Sequence, residues 1–496
     1  SYMNIVLWGV FYVVLTGILL YFFIKEKVIV EWLKEKEKNI ADRLASKGDL
    51  GKMKKTADII TVVHIIILAL LFWKIMDSGQ DLDFSFKRNI IMVVFALNAG
   101  VLILRKKQEW AFVVNALLLV LGRLMMDMQG IYLYSYLALG CVLFLVEIYL
   151  YQSQIFEAVH LIETSITAVV IVLLIQNFYL GNFMIPTGSM RPTIIENDRF
   201  FANMISYKFQ DPKRGDIIAF KEPKDNKLLY TKRLVGLPGE TLSIDDNGEL
   251  VINDNVIEMK AHLIGQGKKA LTVTNEGLVV ILQNGYDNRT GTVYDEVINF
   301  KTNLEGKEGT PIQVDKKGIL FSDGEMLDTR VFYRKEGFLG FAGKIYIPKK
   351  DDVVKLGKIY KMIIEQEIST QSYVINYVEV PLEEIMEQVK AGEKFTDIFY
   401  NTDNFRTTGE TYIYTLNVKG KDDTVMNILD FKYNKDTMNS LLAGQEITLT
   451  HDYYFAMGDN SSDSDDSRYW GYVQDSRIKG KLLFRFLPIT KFGIVK

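Results

Sequence analysis

The chain changes character at the sequence Met184-Ile185-Pro186-Thr187-Gly188-Ser189-Met190-Arg191-Pro192-Thr193. Before this stretch, roughly the first 180 residues consist largely of long runs of Leu, Ile, Val, Phe and Met. After it come short apolar runs such as Arg199–Asn203 and Asp216–Phe220, which are typical of strands and are separated by turn residues. The sequence therefore predicts a multi-span α-helical membrane region followed by a mainly antiparallel β domain.

The first part of the chain is predicted to cross a membrane several times. A helix needs about 20 apolar residues to cross a bilayer, and stretches close to this length lie at 4–24, 57–76, 89–104, 110–126, 131–151 and 161–180. We therefore predict that residues 1–180 form a membrane region with about six transmembrane helices. Asn98, Asn115 and Arg123 interrupt the third and fourth stretches, so a merged or re-entrant pair is the alternative there.

Lysine and arginine residues indicate the orientation of this region. The loop 25–56 contains ten of them, which places it in the cytoplasm because short cytoplasmic loops carry an excess of these residues. Six crossings from an outside N-terminus then put everything after residue 181 outside. Lys87 and Arg88 fall on the outer side and weigh against this orientation. The apolar spacing within 28–47 fits either a helix on the inner membrane surface or a solvated helical hairpin.

The composition excludes several classes of function. The formal net charge of −3 gives no indication of nucleic-acid binding, which normally requires a basic patch. Cys141 is the single cysteine, so the chain can form no internal disulfide framework. The Asp-rich segment after Asp459 fails as a calcium loop, because Ser464 stands where an EF-hand needs Gly and Trp470 where it needs Glu. We therefore predict neither a metal nor another cofactor.

A second segment supplies a chemical partner for the first. It reads Tyr230-Thr231-Lys232-Arg233-Leu234-Val235-Gly236-Leu237-Pro238-Gly239-Glu240 and places a lysine in an otherwise apolar strand. Ser189, beside Gly188, needs a base to act as a nucleophile, and a lysine serves only where its surroundings keep it unprotonated. Taken alone, Ser189 reads as a turn residue and Lys232 as a solvated charge at a strand edge.

Four segments together resemble the bacterial type I signal peptidase family, the membrane-bound Ser/Lys proteases. They follow the order of that family and lie at Ile185–Thr193, Arg214–Phe220, Lys232–Glu240 and Met457–Gly471. The resemblance covers about 181–260 and 452–487, and it implies a signal-peptidase-like β fold. It also implies an activity, namely the removal of N-terminal signal peptides from secreted preproteins through an acyl-enzyme.

The resemblance implies roles for individual residues. Ser189 is the expected nucleophile and Lys232 the expected general base, oriented by Ser464. The backbone N–H of Ser189 and the hydroxyl of Thr187 are the expected oxyanion-hole donors. The residues expected to be structural near the site are Gly458, Asp459, Asn460 and a buried ion pair of Asp466 with Arg468. Those expected to line shallow pockets for small residues, as in an Ala-x-Ala site, are Phe183, Ile185, Tyr230 and Thr231.

After the membrane region, the chain is predicted to form two further parts. Residues 181–256 and 448–496 form a β-rich catalytic core, and 257–447 form a large α+β insert that acts as a cap, with a helix near 381–392. The resemblance implies preproteins and the lipid bilayer as partners, the secretion translocon as a further candidate, and a monomer in the bacterial cytoplasmic membrane with the catalytic domain on its outer face. The alternatives are a catalytically silent envelope binding protein that uses the insert and a Ser/Lys self-cleaving regulator.

Overall fold

The computed structural model describes residues 2–45, 155–260, 270–286, 293–315, 318–366, 373–487, 489 and 492–494, together with isolated positions between 52 and 145. The chain divides into two compact units, Ser1–Leu174 and Ile175–Lys496. The predicted spans at 57–76, 89–104, 110–126 and 131–151 fall outside the described residues, apart from those isolated positions.

The first helix, α1, runs over Tyr2–Ala45 and is longer than predicted. Its segment Ile5–Ile40 is long and apolar enough to cross a membrane, which agrees with the predicted span at 4–24. The helix does not stop at Lys25, where we placed the start of the loop 25–56, but continues to Ala45. It continues because residues 25–45 contain no Gly or Pro and are rich in the helix formers Glu, Lys, Leu and Ala. At about 1.5 Å per residue it reaches about 66 Å, roughly twice the hydrocarbon thickness of a bilayer.

The second helix, α2, runs over Ile155–Phe178 and includes most of the predicted sixth span at 161–180. Its apolar part, Thr167–Phe178, is shorter than the about 20 residues of a full crossing. Among the described residues, α1 alone meets the length and composition expected of a membrane span.

The second unit is rich in strands. In chain order the strands are β1 Leu180–Met184, β2 Arg199–Asn203, β3 Ile217–Lys221, β4 Leu229–Gly236, β5 Thr241–Ile244, β6 Leu250–Ile252, β7 Asn255–Ile257, β8 Leu271–Val273, β9 Leu278–Tyr286, β10 Val293–Thr302, β11 Pro311–Val314, β12 Leu320–Ser322, β13 Glu325–Met326, β14 Thr329–Val331, β15 Lys344–Tyr346, β16 Val353–Gln366, β17 Tyr373–Val380, β18 Glu410–Val418, β19 Ile447–Thr448, β20 Tyr453–Met457, β21 Val473–Gln474, β22 Ile478–Leu487 and β23 Gly493–Ile494. Its helices are α3 Ser206–Phe209, α4 Gly337–Ala342, α5 Leu382–Lys390, α6 Phe395–Ile398, α7 Thr402–Thr408, α8 Lys435–Leu442 and α9 Ser467–Trp470.

An eight-stranded sheet, which we call the main sheet, carries the predicted site. Its strands follow the order β1-β2-β22-β3-β4-β20-β21, with β23 beside β22. Every pairing in it is antiparallel, so the predicted mainly antiparallel β fold is confirmed. The order interleaves strands from the two ends of the unit, because β22 lies between β2 and β3 and β20 lies beside β4.

Local sequence signals account for several of these elements. The predicted strands at 199–203 and 216–220 are found as β2 and β3. The predicted hairpin at Asn247-Gly248 joins β5 to β6 in antiparallel register. Gly248 adopts φ +74° there, a conformation that costs little without a Cβ atom. The helix predicted near 381–392 is α5.

The region 257–447 packs as a continuation of the β-rich core. It contains a seven-stranded sheet, β13-β12-β11-β8-β9-β10-β14, and a sheet β17-β16-β18 with β19 beside β16. Its strand β15 pairs with β5, so one four-stranded sheet, β15-β5-β6-β7, joins the two regions. A single hydrophobic core contains buried side chains of both, including Phe220, Leu234, Phe338 and Tyr414. Each large apolar side chain buried there stabilises the fold by about 1.5–3 kcal/mol.

Candidate active site

Ser189 lies in the loop that connects β1 to β2. A short 3-10 turn, Gly188–Met190, carries it, and all three residues of the turn are buried. The base of the loop is closed by the Ile185 N–H, which donates to the carbonyl oxygen of Asp198 at 3.2 Å. The Ser189 hydroxyl lies 3.4 Å from the Oγ1 of Thr187. The loop therefore places the Ser189 hydroxyl next to the side chain of Thr187, and the start of the loop at Ile185 is buried.

Lys232 lies on β4 in a buried setting. It pairs with Ile218 of β3, and only 4% of its surface is exposed. Its Nζ donates a hydrogen bond to the Oγ of Ser464 at 3.0 Å. Burial lowers the pKa of Lys232 to about 8, against the raising effect of the carboxylates of Asp466 and Asp465. A substantial fraction of this amine is therefore neutral near pH 8, as a general base requires.

The segment after β20 brings Ser464 and Ser189 together. A Cβ atom at Gly458 would collide with the carbonyl oxygen of Ser189 and with the Oγ of Ser464, so only glycine allows this approach. The next turn also holds the serine loop, because the Asn460 N–H donates to the Ser189 carbonyl at 3.0 Å. The Asn460 side chain donates to the carbonyl of Gly188 at 3.1 Å.

Asp466 and Arg468 form a buried ion pair behind the lysine. Arg468 donates from Nε and Nη2 to the two carboxylate oxygens at 2.9 and 3.0 Å. Burial by itself would raise the pKa of Asp466, but Arg468 outweighs it and the pKa of Asp466 is lowered. Asp466 also accepts the Gly458 N–H. Arg468 further donates to Ser461 Oγ at 2.9 Å and to the Arg334 carbonyl at 3.2 Å, which ties the site to the region 257–447.

A second buried ion pair was not predicted from the sequence. Arg233, the neighbour of Lys232, donates from Nε and Nη2 to both carboxylate oxygens of Asp459 at 2.7 and 2.6 Å. The hydroxyl of Thr193 donates to the same carboxylate at 2.6 Å. These contacts join the segments that carry Ser189, Lys232 and Ser464. The sequence does contain one signal for this pair. Arg233 lies in an apolar strand, and a buried arginine requires a partner of opposite charge.

One cleft of about 580 Å³ collects most of the predicted site residues. Ser189, Lys232 and Thr187 line it, and Ser464 lies behind the lysine. The four predicted pocket residues also line it, namely Phe183, Ile185, Tyr230 and Thr231. Arg406 of α7 lines it from the region 257–447, which the sequence did not predict. In the described part of the chain, no group of three or more His, Cys, Asp or Glu residues could hold a metal ion.

The chain is similar to known signal peptidases. It matches the family model described as "Signal peptidase, peptidase S26" over residues 158–302 and 368–487. It is 31% identical over 216 residues to the signal peptidase I of Rickettsia bellii (strain OSU 85-389), a match that covers 39% of this chain and 66% of that relative. It is 35% identical over 207 residues to the signal peptidase I of Rickettsia massiliae (strain Mtu5), covering 38% of this chain and 69% of that relative. The signal peptidase I of Rickettsia felis (strain ATCC VR-1525 / URRWXCal2) is 36% identical over 210 residues, covering 38% of this chain and 69% of that relative.

The family match and the geometry of the cleft concern the same residues. Ser189, Lys232 and Ser464 all lie within the two matched segments. The chain spans about two thirds of the length of these relatives. The matched segments cover more than half of its own residues, and the chain belongs to the signal peptidase family, peptidase S26.

Proposed function

We propose that this chain is a membrane-bound serine endopeptidase that removes N-terminal signal peptides from secreted preproteins. The observation that carries the proposal is the Lys232 amine, buried, hydrogen-bonded to Ser464 at 3.0 Å and facing the cleft that Ser189 lines. A serine in the same cleft as an amine with a lowered pKa provides what acyl transfer requires, namely a nucleophile and a base to activate it.

The reaction proceeds through an acyl-enzyme. The Ser189 hydroxyl attacks the scissile carbonyl carbon while the neutral Lys232 amine takes its proton. That proton passes to the leaving amine as the peptide bond breaks. Lys232 then takes a proton from the water molecule that attacks the ester, and gives this proton to Ser189 Oγ as the ester bond breaks and the signal peptide leaves. In the free enzyme the Ser189 hydroxyl is near Thr187, and catalytic hydrogen bonds commonly shorten only when substrate binds.

The lowered pKa of Lys232 makes this chemistry possible near neutral pH. With a pKa of about 8, about 10% of the amine is neutral at pH 7, compared with about 0.03% at the ordinary lysine value. The acid limb of the pH–rate profile for kcat/KM then has its midpoint near 8, because that profile reports the free enzyme's base.

The developing negative charge on the scissile oxygen needs hydrogen-bond donors. We assign this role to the backbone N–H of Ser189 and the hydroxyl of Thr187. The 3.4 Å separation of the Thr187 and Ser189 hydroxyl oxygens supports the assignment, because it puts a second donor next to the attacking atom. Loss of one such donor typically costs a factor of about 10² to 10³ in turnover.

We assign the preference for small substrate residues before the cleavage point to the side chains that line the cleft. Ile185 is almost fully buried and Phe183 half-buried, which favours shallow pockets at their position. Tyr230 and Thr231 lie on the facing strand β4 and line the same cleft. Pockets of this kind admit alanine and exclude larger side chains, in agreement with an Ala-x-Ala site.

The setting of the enzyme is part of the proposal. We assign it to the bacterial cytoplasmic membrane as a multi-pass monomer, with the catalytic domain on the outer face. The apolar segment Ile5–Ile40 supports membrane attachment. Its partners are then preproteins that carry signal peptides, the lipid bilayer and, as a candidate, the secretion translocon.

Cleavage of a purified preprotein with an Ala-x-Ala site, in detergent micelles, tests the proposal. We expect wild-type protein to cut after the second alanine and the Ser189→Ala variant to leave the preprotein intact. Equal cutting by both would refute the role of Ser189. If folded wild-type protein leaves the preprotein intact, the silent binding protein that uses region 257–447 takes its place; no observation on the described residues favours that alternative.

A further inference from the structure

A second buried lysine lies close to Lys232. Lys224 belongs to the loop between β3 and β4, and only 3% of its surface is exposed. Its ammonium group forms an ion pair with Asp465. It lies 5.1 Å from the centre of the Tyr230 ring, and Lys232 Nζ lies 5.8 Å from the same centre, so the two lysine nitrogens are at most about 11 Å apart.

The position of Lys224 is fixed from two sides. The carboxylate of Glu222 accepts the backbone N–H groups of Asp225 and Lys227 at 2.9 and 2.7 Å, which closes the loop. The hydroxyl of Tyr433, in the region 257–447, donates to the Lys224 carbonyl at 2.6 Å. The insert therefore holds this lysine in place beside the cleft.

The two lysines differ in their partners. Burial by itself would lower the pKa of Lys224, but Asp465 and Tyr230 outweigh it and raise that pKa. Lys232 has a neutral hydroxyl as its hydrogen-bond acceptor, and burial lowers its pKa to about 8. Lys224 is thus a permanent positive charge beside a lysine that must lose its proton. Pairs of groups whose surroundings drive their pKa values apart are typical of catalytic sites.

Two ion pairs flank the Lys232 amine. The carboxylates of Asp466 and Asp465 favour its protonated form, while Arg468 and Lys224 disfavour it. Each carboxylate is paired with one of the cations, Asp466 with Arg468 and Asp465 with Lys224. Two further charged residues, Asp463 and Arg406, line the cleft. Loss of Lys224 would leave Asp465 facing Lys232 without compensation.

We propose that Lys224 is a positioning residue that keeps Lys232 available as a base, by neutralising Asp465 and by placing a fixed positive charge beside the catalytic amine. The inference rests on the proposed function, in which Lys232 is the general base. It gives the region 257–447 a part in catalysis, because Tyr433 of that region holds Lys224.

The test compares pH profiles of preprotein cleavage for wild type and charge variants. For two charges at most about 11 Å apart, Lys224→Met should move the acid limb of kcat/KM upward by at least about 0.3 pH unit. Lys224→Arg keeps the charge and should leave the limb in place. Lys227→Met makes the same charge change at an exposed position of the same loop, and solvent should screen its effect.

Asp465→Asn is the complementary variant. Asp465 is half-exposed, so its replacement threatens folding less than that of Lys224. Removing its negative charge should move the limb downward, and the double variant Lys224→Met/Asp465→Asn should return it toward the wild-type position. If both single variants are folded and active, and the midpoint of the acid limb of kcat/KM is unchanged in both, the inference is overturned.

A readout without catalysis separates this inference from the proposed function. The reactivity of the Lys232 amine toward an amine-specific reagent can be followed against pH by mass spectrometry in the Ser189→Ala background. Lys224→Met should raise the midpoint of that curve by the same amount. An unchanged midpoint refutes the role of Lys224. A shifted midpoint, together with a folded protein that keeps Ser189 and still cleaves no preprotein, refutes the proposed function and leaves the charge coupling standing.

Discussion

The cleft and the region 257–447 each contain a buried lysine whose pKa burial lowers to about 8. Lys232 donates to a side-chain hydroxyl and faces the cleft that Ser189 lines. Lys432 donates to the carbonyls of Phe399 and Tyr400, both at 3.1 Å, and lines a separate cavity of about 540 Å³. The pKa values alone therefore do not distinguish a base from a structural lysine. A serine in the same cleft makes the difference, because a base needs a proton to take.

Matched replacements of the two lysines should give the sharpest contrast. Lys232→Met should lower preprotein cleavage by about 10³-fold or more, since a positioned general base and an activated nucleophile are both lost. Lys232→Arg should be equally inactive, because arginine stays protonated at neutral pH. Lys432→Met should keep cleavage within about threefold of wild type. Initial rates at saturating preprotein measure all three, and a fast Lys232→Arg enzyme would contradict the general-base role.

Removal of the Ser464 hydroxyl, which accepts a hydrogen bond from Lys232, should have an intermediate effect on cleavage. Ser464→Ala should lower kcat by about 10- to 100-fold, because the Lys232 amine loses the partner that orients it at 3.0 Å. The melting temperature should change little, because the variant loses only a hydroxyl whose partners are the Lys232 amine and the carboxylate of Asp466, and Asp466 keeps its ion pair with Arg468. A collapse of the melting temperature would mean that Ser464 is structural. Thr193→Ser, which keeps the hydroxyl bonded to Asp459, is the matched control.

Replacement of Lys432 should change the pH dependence of the protein's stability and have little effect on preprotein cleavage. Because the folded pKa of Lys432 is about 8 and lies below its ordinary value of 10.5, the unfolded chain binds the proton more tightly. The free energy of unfolding should therefore rise between pH 8 and 10.5, and the full penalty, about 3 kcal/mol, is present below pH 8. Lys432→Met lacks this titration, so its melting temperature should rise less over that range. Equal rises in the two proteins would show that Lys432 does not titrate there.

Local patterns in the sequence were enough to predict several secondary-structure elements of the second unit. The strand signals at 199–203 and 216–220, the Asn-Gly hairpin and the helix near 381–392 are found where they were predicted. The structure also brings Ser189, Lys232 and Ser464 together, as the resemblance implied, although their catalytic roles remain predictions. These predictions depend on neighbours in sequence or on motifs whose order along the chain is informative.

Contacts between distant segments could not be predicted. The pair of Arg233 with Asp459 and the pair of Lys224 with Asp465 each join residues more than 200 positions apart, and no local pattern reports such a pairing. Helix α1 extends past Lys25 to Ala45, because the charged residues that mark the predicted loop 25–56 are also good helix formers. The division at 257 and 447 remains a prediction. The family match extends into that region at 257–302 and 368–447, and β15 joins its sheet to the core.

The interleaved order of the main sheet has a consequence for the synthesis of the protein. Ser189 and Lys232 are made early, but β20, the Ser464 loop and β22 follow more than 200 residues after Lys232. At about 5–20 residues per second, a ribosome needs at least about 10 seconds to cover that distance. During this interval the strands β3 and β4 have no neighbours from the end of the chain, and the lysine has neither its hydroxyl partner nor its burial. Under the proposed mechanism, a nascent chain therefore lacks a working general base, and cleavage begins only when the last strands of the sheet are in place.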